Sequence, residues 1–159
     1  MLKCGNLGSE YTYAIRPTGT GYSSVSFLTA RGGGGQTQQA MTANSELKGF
    51  SKFKLIGRGP GWYALQTSNG INYVTAVDGG GLAHGTTASD NLHTDARQVQ
   101  VWEKFRIVDQ GDCTYTIQTI NGWYLAVGPG GTISTRISDP NAAPSINYNA
   151  KFELMMLGL

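Results

Sequence analysis

The segment that decides the fold of this chain is residues 115–127, which read YTIQTINGWYLAV. Its first four residues alternate an apolar side chain with a polar one, which is the period-two pattern of a strand that buries one face. An Asn-Gly pair follows, and this dipeptide is a strong hairpin signal because both turn residues must tolerate positive φ. The apolar run YLAV then predicts a second strand.

The same pattern occurs in two further places. Residues 63–76 read YALQTSNGINYVTA, and a stretched copy begins with YAI at 13–15 and resumes with FLTA at 27–30. Lys-Phe pairs lie in the same phase, with spacings of 52 and 47 residues, at Lys52-Phe53, Lys104-Phe105 and Lys151-Phe152. Glycine-rich turns also recur, and we expect the short apolar strands that follow them around Met41, Leu82 and Ile133.

Three copies of a unit with four strands predict a particular all-β architecture. A chain of 159 residues fits one domain. A propeller needs at least four blades, so three units favour a threefold arrangement. We therefore predict a β-trefoil of twelve strands, a six-stranded barrel capped by three hairpins, as a single domain over 1–159. The units are expected at approximately 1–57, 58–109 and 110–159.

Positions repeated in all three units are expected to build the shared barrel. Aromatic residues that recur in phase would supply much of its buried area. The expected core aromatics are Tyr13, Tyr63, Tyr115, Phe53, Phe105 and Phe152, together with Tyr73 and Tyr124. Trp102 aligns with Phe50 and Asn149, and we interpret it as a cap on the barrel.

Composition and charge exclude several function classes. Charged residues make up 14% of the chain, and the net charge is +2. The sequence does not contain the clusters of Lys and Arg that bind a phosphate backbone, so nucleic acid is not an expected partner. No apolar run is long enough for a membrane span. The chain lacks the apolar segment of a signal peptide, which predicts a cytoplasmic or non-classically secreted protein.

The two cysteines, Cys4 and Cys113, allow two interpretations. Our expectation is two free thiols. The alternative is a disulfide that ties the N-terminus to the start of the third unit, which requires the two Cα atoms to lie within about 7 Å.

Catalytic and metal-binding patterns are poorly represented. Neither histidine, His84 or His93, lies in a recognised motif, and no Gly-x-Ser-x-Gly elbow is present. The ligand-rich stretch 90–95 is interpreted as a solvated loop rather than a metal site. We therefore predict a protein that is not an enzyme and needs no cofactor and no metal.

The repeated motifs resemble a known family. The pattern Lys-Phe-x-Leu, Tyr-x-Leu-Gln-x-x-Asn-Gly-x-Tyr-Val-x-Ala, Gly-Gly-x-Leu and Glu-Lys-Phe resembles the fascin-like β-trefoil domain, and residues 63–105 and 115–152 carry it best. The resemblance implies a trefoil. For function it implies either actin binding, as in fascins, or a lectin-like or carbohydrate-binding module. The Gln-x-Trp triplet of ricin-type lectins occurs once, at 100–102, so we transfer no ricin-type sugar site.

Residues found in only one unit are the candidates for ligand binding. We expect a lectin-like module whose partner is a carbohydrate or glycoprotein, bound in shallow sites between hairpins. Trp123 and Trp62 would provide aromatic platforms, and the candidate polar residues are Asn121, Asp78, Asn69 and Asn72. Two alternatives stay open: actin or cytoskeletal binding, and protease inhibition through the loops 17–25 or 138–144.

Overall fold

The structure is a computed structural model that describes residues 2–18, 26–45, 47–81, 90–146 and 148–158. It contains twelve strands, and the helical elements within these ranges are short 3-10 turns. The strands are β1 (Thr12–Pro17), β2 (Phe27–Ala30), β3 (Met41–Ser45), β4 (Phe53–Gly57), β5 (Trp62–Gln66), β6 (Tyr73–Ala76), β7 (Leu92–Ala96), β8 (Phe105–Asp109), β9 (Tyr115–Gln118), β10 (Tyr124–Val127), β11 (Ile133–Ile137) and β12 (Phe152–Gly158). No helix in the described ranges is long and apolar enough to cross a bilayer.

Strand pairing closes six of these strands into a barrel. β1 pairs with both β12 and β4, β5 pairs with β4 and β8, and β9 pairs with β8 and β12. The other six strands form three hairpins, β2–β3, β6–β7 and β10–β11. This is the twelve-stranded β-trefoil that the repeat predicts.

The same cross-strand pair recurs within each unit. Tyrosine on the first strand lies opposite phenylalanine on the fourth strand, as Tyr13 with Phe53, Tyr63 with Phe105 and Tyr115 with Phe152. Each Lys-Phe pair therefore marks the start of a barrel strand. The three pairs give the barrel its pseudo-threefold register.

One predicted strand lies at a different place. Each hairpin contains one equivalent cross-strand pair. In the first unit Ala30 lies opposite Met41, in the third Val127 lies opposite Ile133, and in the second Ala76 lies opposite Leu92. The third strand of that unit thus begins at Leu92, because a longer connection precedes it. Leu82, around which we predicted the strand, lies outside the described residues.

The expected core is confirmed for five of the six repeated aromatics. Tyr13, Phe53, Phe105, Tyr115 and Phe152 are at most 1% exposed. The sixth, Tyr63, is only partly buried, and so are Tyr73 and Tyr124. Tyr73 and Tyr124 begin the hairpin strands β6 and β10, at the edge of the barrel rather than inside it.

The prediction that Trp102 caps the barrel is wrong. Trp102 is 45% exposed and its counterpart Phe50 is 49% exposed. Each lies in the middle of a 3-10 turn whose last residue, Glu103 or Ser51, is buried instead. The Glu103 carboxylate accepts hydrogen bonds from Gln100 N and Thr75 Oγ1, both at 2.8 Å, so the turn points its aromatic residue outward.

The N-terminal segment closes one end of the barrel by binding the three repeated tyrosines. Gly8 N donates to the Tyr13 hydroxyl at 3.2 Å. The other two hydroxyls donate to main-chain oxygens, Tyr63 to Leu7 at 3.4 Å and Tyr115 to Gly5 at 2.6 Å. These bonds satisfy polar groups that the aromatic core would otherwise bury without partners.

A disulfide fixes this segment, so the expectation of free thiols is wrong. Cys4 and Cys113 are bonded, with their Cα atoms 4.4 Å apart. The segment that binds the tyrosines brings Cys4 to the turn between β8 and β9, which sequence spacing alone does not show. The bond joins residues 109 positions apart, and native cross-links of this kind stabilise small domains by about 2–5 kcal/mol.

Phe105→Ala should lower the free energy of unfolding by about 3–5 kcal/mol, because it empties a fully buried aromatic site. Urea unfolding followed by far-ultraviolet circular dichroism measures the change. Phe50→Ala is the matched control at an exposed aromatic and should change stability by less than about 0.5 kcal/mol. A loss under about 1 kcal/mol for Phe105→Ala would show that the Tyr–Phe pairs do not hold the barrel.

Alkaline pH should destabilise the protein through Tyr115. Burial, followed by the charge of Asp109, raises the pKa of Tyr115 from 10.0 to about 12. The unfolded chain loses this proton first, so the stabilisation is fully present below pH 10 and is lost as pH rises from 10 through about 12. Tyrosinate absorbance near 295 nm and unfolding at each pH measure this. Tyr115→Phe should remove most of the loss between pH 10 and 12, and an unchanged profile in that variant would contradict the assignment.

Candidate ligand-binding groove on the third unit

An open groove of about 480 Å³ lies on the outer surface where β8, the last strand of the second unit, meets the third unit. We call it the unit-three groove. Its lining residues are Arg106, Val108, Gln110, Thr116, Gln118, Tyr124, Ser138, Asp139, Pro140 and Asn141. The volume is within the range of small-molecule sites, and the lining mixes one aromatic ring with many hydrogen-bonding groups.

The floor of the groove is the outer face of β8 and β9. Arg106 pairs with Gln118 and Val108 with Thr116, so their side chains project from the barrel in two adjacent cross-strand pairs. Gln118 Nε2 donates to Gly122 O at 3.2 Å, which fixes the orientation of its amide. No described residue donates a hydrogen bond to the Gln118 amide oxygen, which can therefore accept one from a ligand.

One wall of the groove comes from a connection that is longer than its counterparts. Residues 138–151 link β11 to β12, whereas 97–104 link β7 to β8 and 46–52 link β3 to β4. Within the longer connection, Asp139 Oδ1 accepts from Asn141 N at 2.9 Å, and Ala142 N donates to Asp139 O at 3.2 Å. This turn holds Asp139 at the edge of the groove, and no described residue binds its second carboxylate oxygen, which can accept a hydrogen bond from a ligand.

Tyr124 provides the aromatic surface. It is the first residue of β10 and pairs with Gln118 on one side and Ile137 on the other. Its ring packs against a small apolar cluster that includes Ile137, Ala126 and Ala143. The tyrosine is therefore held in one position before any ligand arrives, which lowers the entropic cost of binding.

The groove combines opposite charges without pairing them. The Arg106 guanidinium and the Asp139 carboxylate both line it, and no ion pair joins them among the described residues. Arg106 can donate and Asp139 can accept hydrogen bonds, while their formal charges cancel. This electrostatic balance suits a neutral ligand with many hydroxyl groups.

Three of the predicted site residues lie together, at the junction between the second and third units. Asn121 Nδ2 donates to Asp78 O at 2.8 Å, and Asn121 N donates to Gly79 O at 3.2 Å. The Trp123 indole packs on Gly81, where an added Cβ would lie 2.9 Å from Nε1. The Asn121 amide and part of the Trp123 ring thus hold two units together, and the Asp78 side chain is half-buried beside them.

Asn69 and Asn72 occupy the corresponding junction between the first and second units. Asn69 Nδ2 donates to Asn72 Oδ1 at 2.6 Å, and Asn69 Oδ1 accepts from Ile71 N at 2.8 Å. Asn72 is 7% exposed and donates to Ala96 O at 3.3 Å. Both amides are used within the protein, which leaves them little capacity for a ligand.

Trp62 is apart from both junctions. It begins β5, while the turn containing Asn69 follows the other end of that strand. Its cross-strand partner on β8 is Arg106, a residue of the unit-three groove. The sequence thus singles out a tryptophan beside the groove but not the groove itself, whose signal is the extra length of residues 138–151.

Metal binding has no support in the described part of the chain. No group of three or more His, Cys, Asp or Glu side chains lies close enough there to hold a metal ion. His93 is on β7 opposite Thr75, and Asp90 Oδ1 accepts from Gln39 N at 3.1 Å. His84 lies outside the described residues.

Comparison with known proteins identifies the fold. No protein-family model and no curated protein matches the sequence. The designed threefold-symmetric protein ThreeFoil is 16% identical over 91% of this chain and 97% of its own, with a TM-score of 0.70. The BEL β-trefoil is 12% identical over 96% and 97%, with a TM-score of 0.68. A GH43 β-1,3-galactosidase is 10% identical over 97% of this chain but 29% of its own, with a TM-score of 0.67.

These likenesses establish the β-trefoil fold that the fascin-like resemblance implies. Identities between 10% and 16% carry the fold alone. Any functional argument therefore has to come from the side chains of this chain.

Proposed function

We propose that the protein is a non-catalytic carbohydrate-binding module and that the unit-three groove is its binding site. The observation that supports this most directly is the meeting of a fixed aromatic ring with planar hydrogen-bonding groups in one open groove. Tyr124 provides the ring, and Gln118, Asp139 and Arg106 provide the polar groups. Within the described ranges, the corresponding connections of the other two units are shorter and form no such wall.

The chemistry of a pyranose matches this arrangement. One face of the ring presents C–H groups, which pack on an aromatic surface such as Tyr124. Its hydroxyls both donate and accept, so they can donate to the carboxylate of Asp139 or the amide oxygen of Gln118 and accept from Arg106. The ring supplies contact area, and the polar groups fix orientation.

The groove supports binding better than catalysis. Asp139 is the only carboxylate among its lining residues, and none of those residues is a histidine or cysteine. Most glycoside hydrolases use two carboxyl groups about 5–10 Å apart. Ser138 also lacks a histidine in the groove that could act as its base.

The disulfide is informative about where the protein is located. Disulfides persist in oxidising environments and are rare in the cytosol. The Cys4–Cys113 bond therefore favours the secreted alternative of the two locations expected from the sequence. Glycan binding fits that setting.

Gln118→Ala should weaken glycan binding by about 1–2 kcal/mol, because it removes an oriented hydrogen-bonding group from the groove. Gln66→Ala is the matched control. Gln66 Nε2 donates to Gly70 O at 3.1 Å just as Gln118 donates to Gly122, but it lies in the second unit without the wall. The two variants should lose similar stability, and only Gln118→Ala should lose binding, measured on a glycan array and by calorimetry.

Three outcomes would contradict the proposal. The wild-type protein could bind no glycan on the array, or the two glutamine variants could bind equally well. Alternatively, Trp123→Ala could abolish binding while Gln118→Ala does not, which would place the site at the turns that contain Asp78 and Asn121. Actin cosedimentation with the same samples tests the cytoskeletal alternative.

A further inference from the structure

A continuous row of outward-facing side chains crosses four adjacent strands and extends beyond the unit-three groove. Trp62 on β5 lies opposite Arg106 on β8, Arg106 lies opposite Gln118 on β9, and Gln118 lies opposite Tyr124 on β10. Directly opposed residues project from the same face of a sheet. The row formed by Trp62, Arg106, Gln118 and Tyr124 is called the aromatic-ended row below.

The length of this row exceeds what one sugar ring needs. Its ends are separated by three inter-strand spacings, or about 14 Å. Trp62 and Tyr124 are both half-buried, so each is held by the protein while part of its surface faces outward. Between them lie a guanidinium and an amide, the two groups that would contact hydroxyls along a chain.

The pseudo-threefold symmetry supplies a comparison row that lacks these features. It consists of Thr12, Lys54, Gln66 and Tyr73 on β1, β4, β5 and β6. Threonine stands where the aromatic-ended row has Trp62, and the Lys54 ammonium is 3.3 Å from the Glu10 carboxylate. Position 114 in the third unit is also threonine. The tryptophan is therefore specific to one unit and is not required by the barrel.

We infer that the aromatic-ended row binds a neutral, extended oligosaccharide of several β-1,4-linked pyranose rings, with Trp62 stacking on one ring and Tyr124 on another. The inference rests on the proposed function of the groove and specifies its ligand class. The opposite charges of Arg106 and Asp139 cancel, which favours a glycan without carboxylates or sulfates.

The linkage follows from shape. In β-1,4-linked glucose or N-acetylglucosamine, the equatorial substituents leave flat C–H faces on an extended ribbon. A ribbon can lie along an unbroken row and reach both aromatic ends at once. In α-1,4-linked glucose the chain curves, so it contacts one end and turns away from the other.

The test compares chain lengths in calorimetry. Cello-oligosaccharides and chito-oligosaccharides, from the monosaccharide to the tetrasaccharide, are the probes, and the malto series is the linkage control. In the wild-type protein, affinity for at least one β-1,4 series should rise about tenfold or more from monosaccharide to tetrasaccharide, the order expected from a second aromatic contact. The malto series should show no such rise.

Trp62→Thr is the decisive variant, because threonine is the residue at positions 12 and 114 and is compatible with the fold. It should reduce tetrasaccharide affinity about tenfold and leave monosaccharide affinity within about twofold. Trp62→Phe keeps a ring and should restore most of the length dependence. Thermal unfolding of both variants confirms that they are folded.

The inference and the function of the groove fail in different ways. Sugar binding that depends on Gln118 but does not increase with chain length, or does not depend on Trp62, overturns the row and leaves the groove intact. Failure of both β-1,4 series to bind also overturns the row. If the glycan array shows no binding at all, the function of the groove fails with it.

Discussion

The Tyr–Phe pair that recurs in every unit is the constraint on which the rest of the structure depends. It joins the first and fourth strands three times and fixes the register in which six strands close into a barrel. Packing the three tyrosines into the barrel also removes their hydroxyl groups partly from water, so these groups need partners. Residues 5–8 supply them, and the Cys4–Cys113 disulfide holds that segment in place. The repeated Tyr–Phe pair thus accounts for the closure of the barrel. It also accounts for the position of the N-terminal segment and for the disulfide that holds this segment.

Repetition inside the barrel leaves the outer surface free to differ between units. Asn69 and Asn121 make equivalent contacts, because the main-chain N–H of each donates to a carbonyl in the glycine-rich turn of the preceding unit. Such repeated contacts hold the hairpins together. Among the described residues the wall at 138–141 has no counterpart in the other two units, and threonine stands at both positions that correspond to Trp62. The wall and Trp62 lie beside the same face of β8 and β9. Asymmetry, rather than symmetry, therefore marks the surface that we assign to a ligand.

The fold was predictable from the sequence because it depends on periodic signals. The Asn-Gly turns, the alternating runs and the Lys-Phe pairs each recur in phase, so the number of strands and the positions of most of them follow from local patterns. The exception is β7, which begins at Leu92 rather than around Leu82. Features that depend on distant residues were not predictable. Predicting the Cys4–Cys113 bond requires knowing the path of the N-terminal segment. Predicting that Trp102 faces outward requires knowing that Glu103 is buried. The groove forms where β8, β9 and the 138–141 turn come together, and no sequence motif indicates that these segments are neighbours.

Our central claim is that ligand binding lies on one outer face, formed by β5 and β8 of the second unit and by β9, β10 and residues 138–141 of the third. The most direct test is an amide NMR titration of the isotope-labelled protein with chitotetraose and with cellotetraose. The account predicts shift changes at Trp62, in β8 and β9, at Tyr124 and in residues 138–141, with little change in the counterpart row on β4 and β5. Changes centred on residues 78–81 and 121–123, or equal changes in both rows, would contradict it.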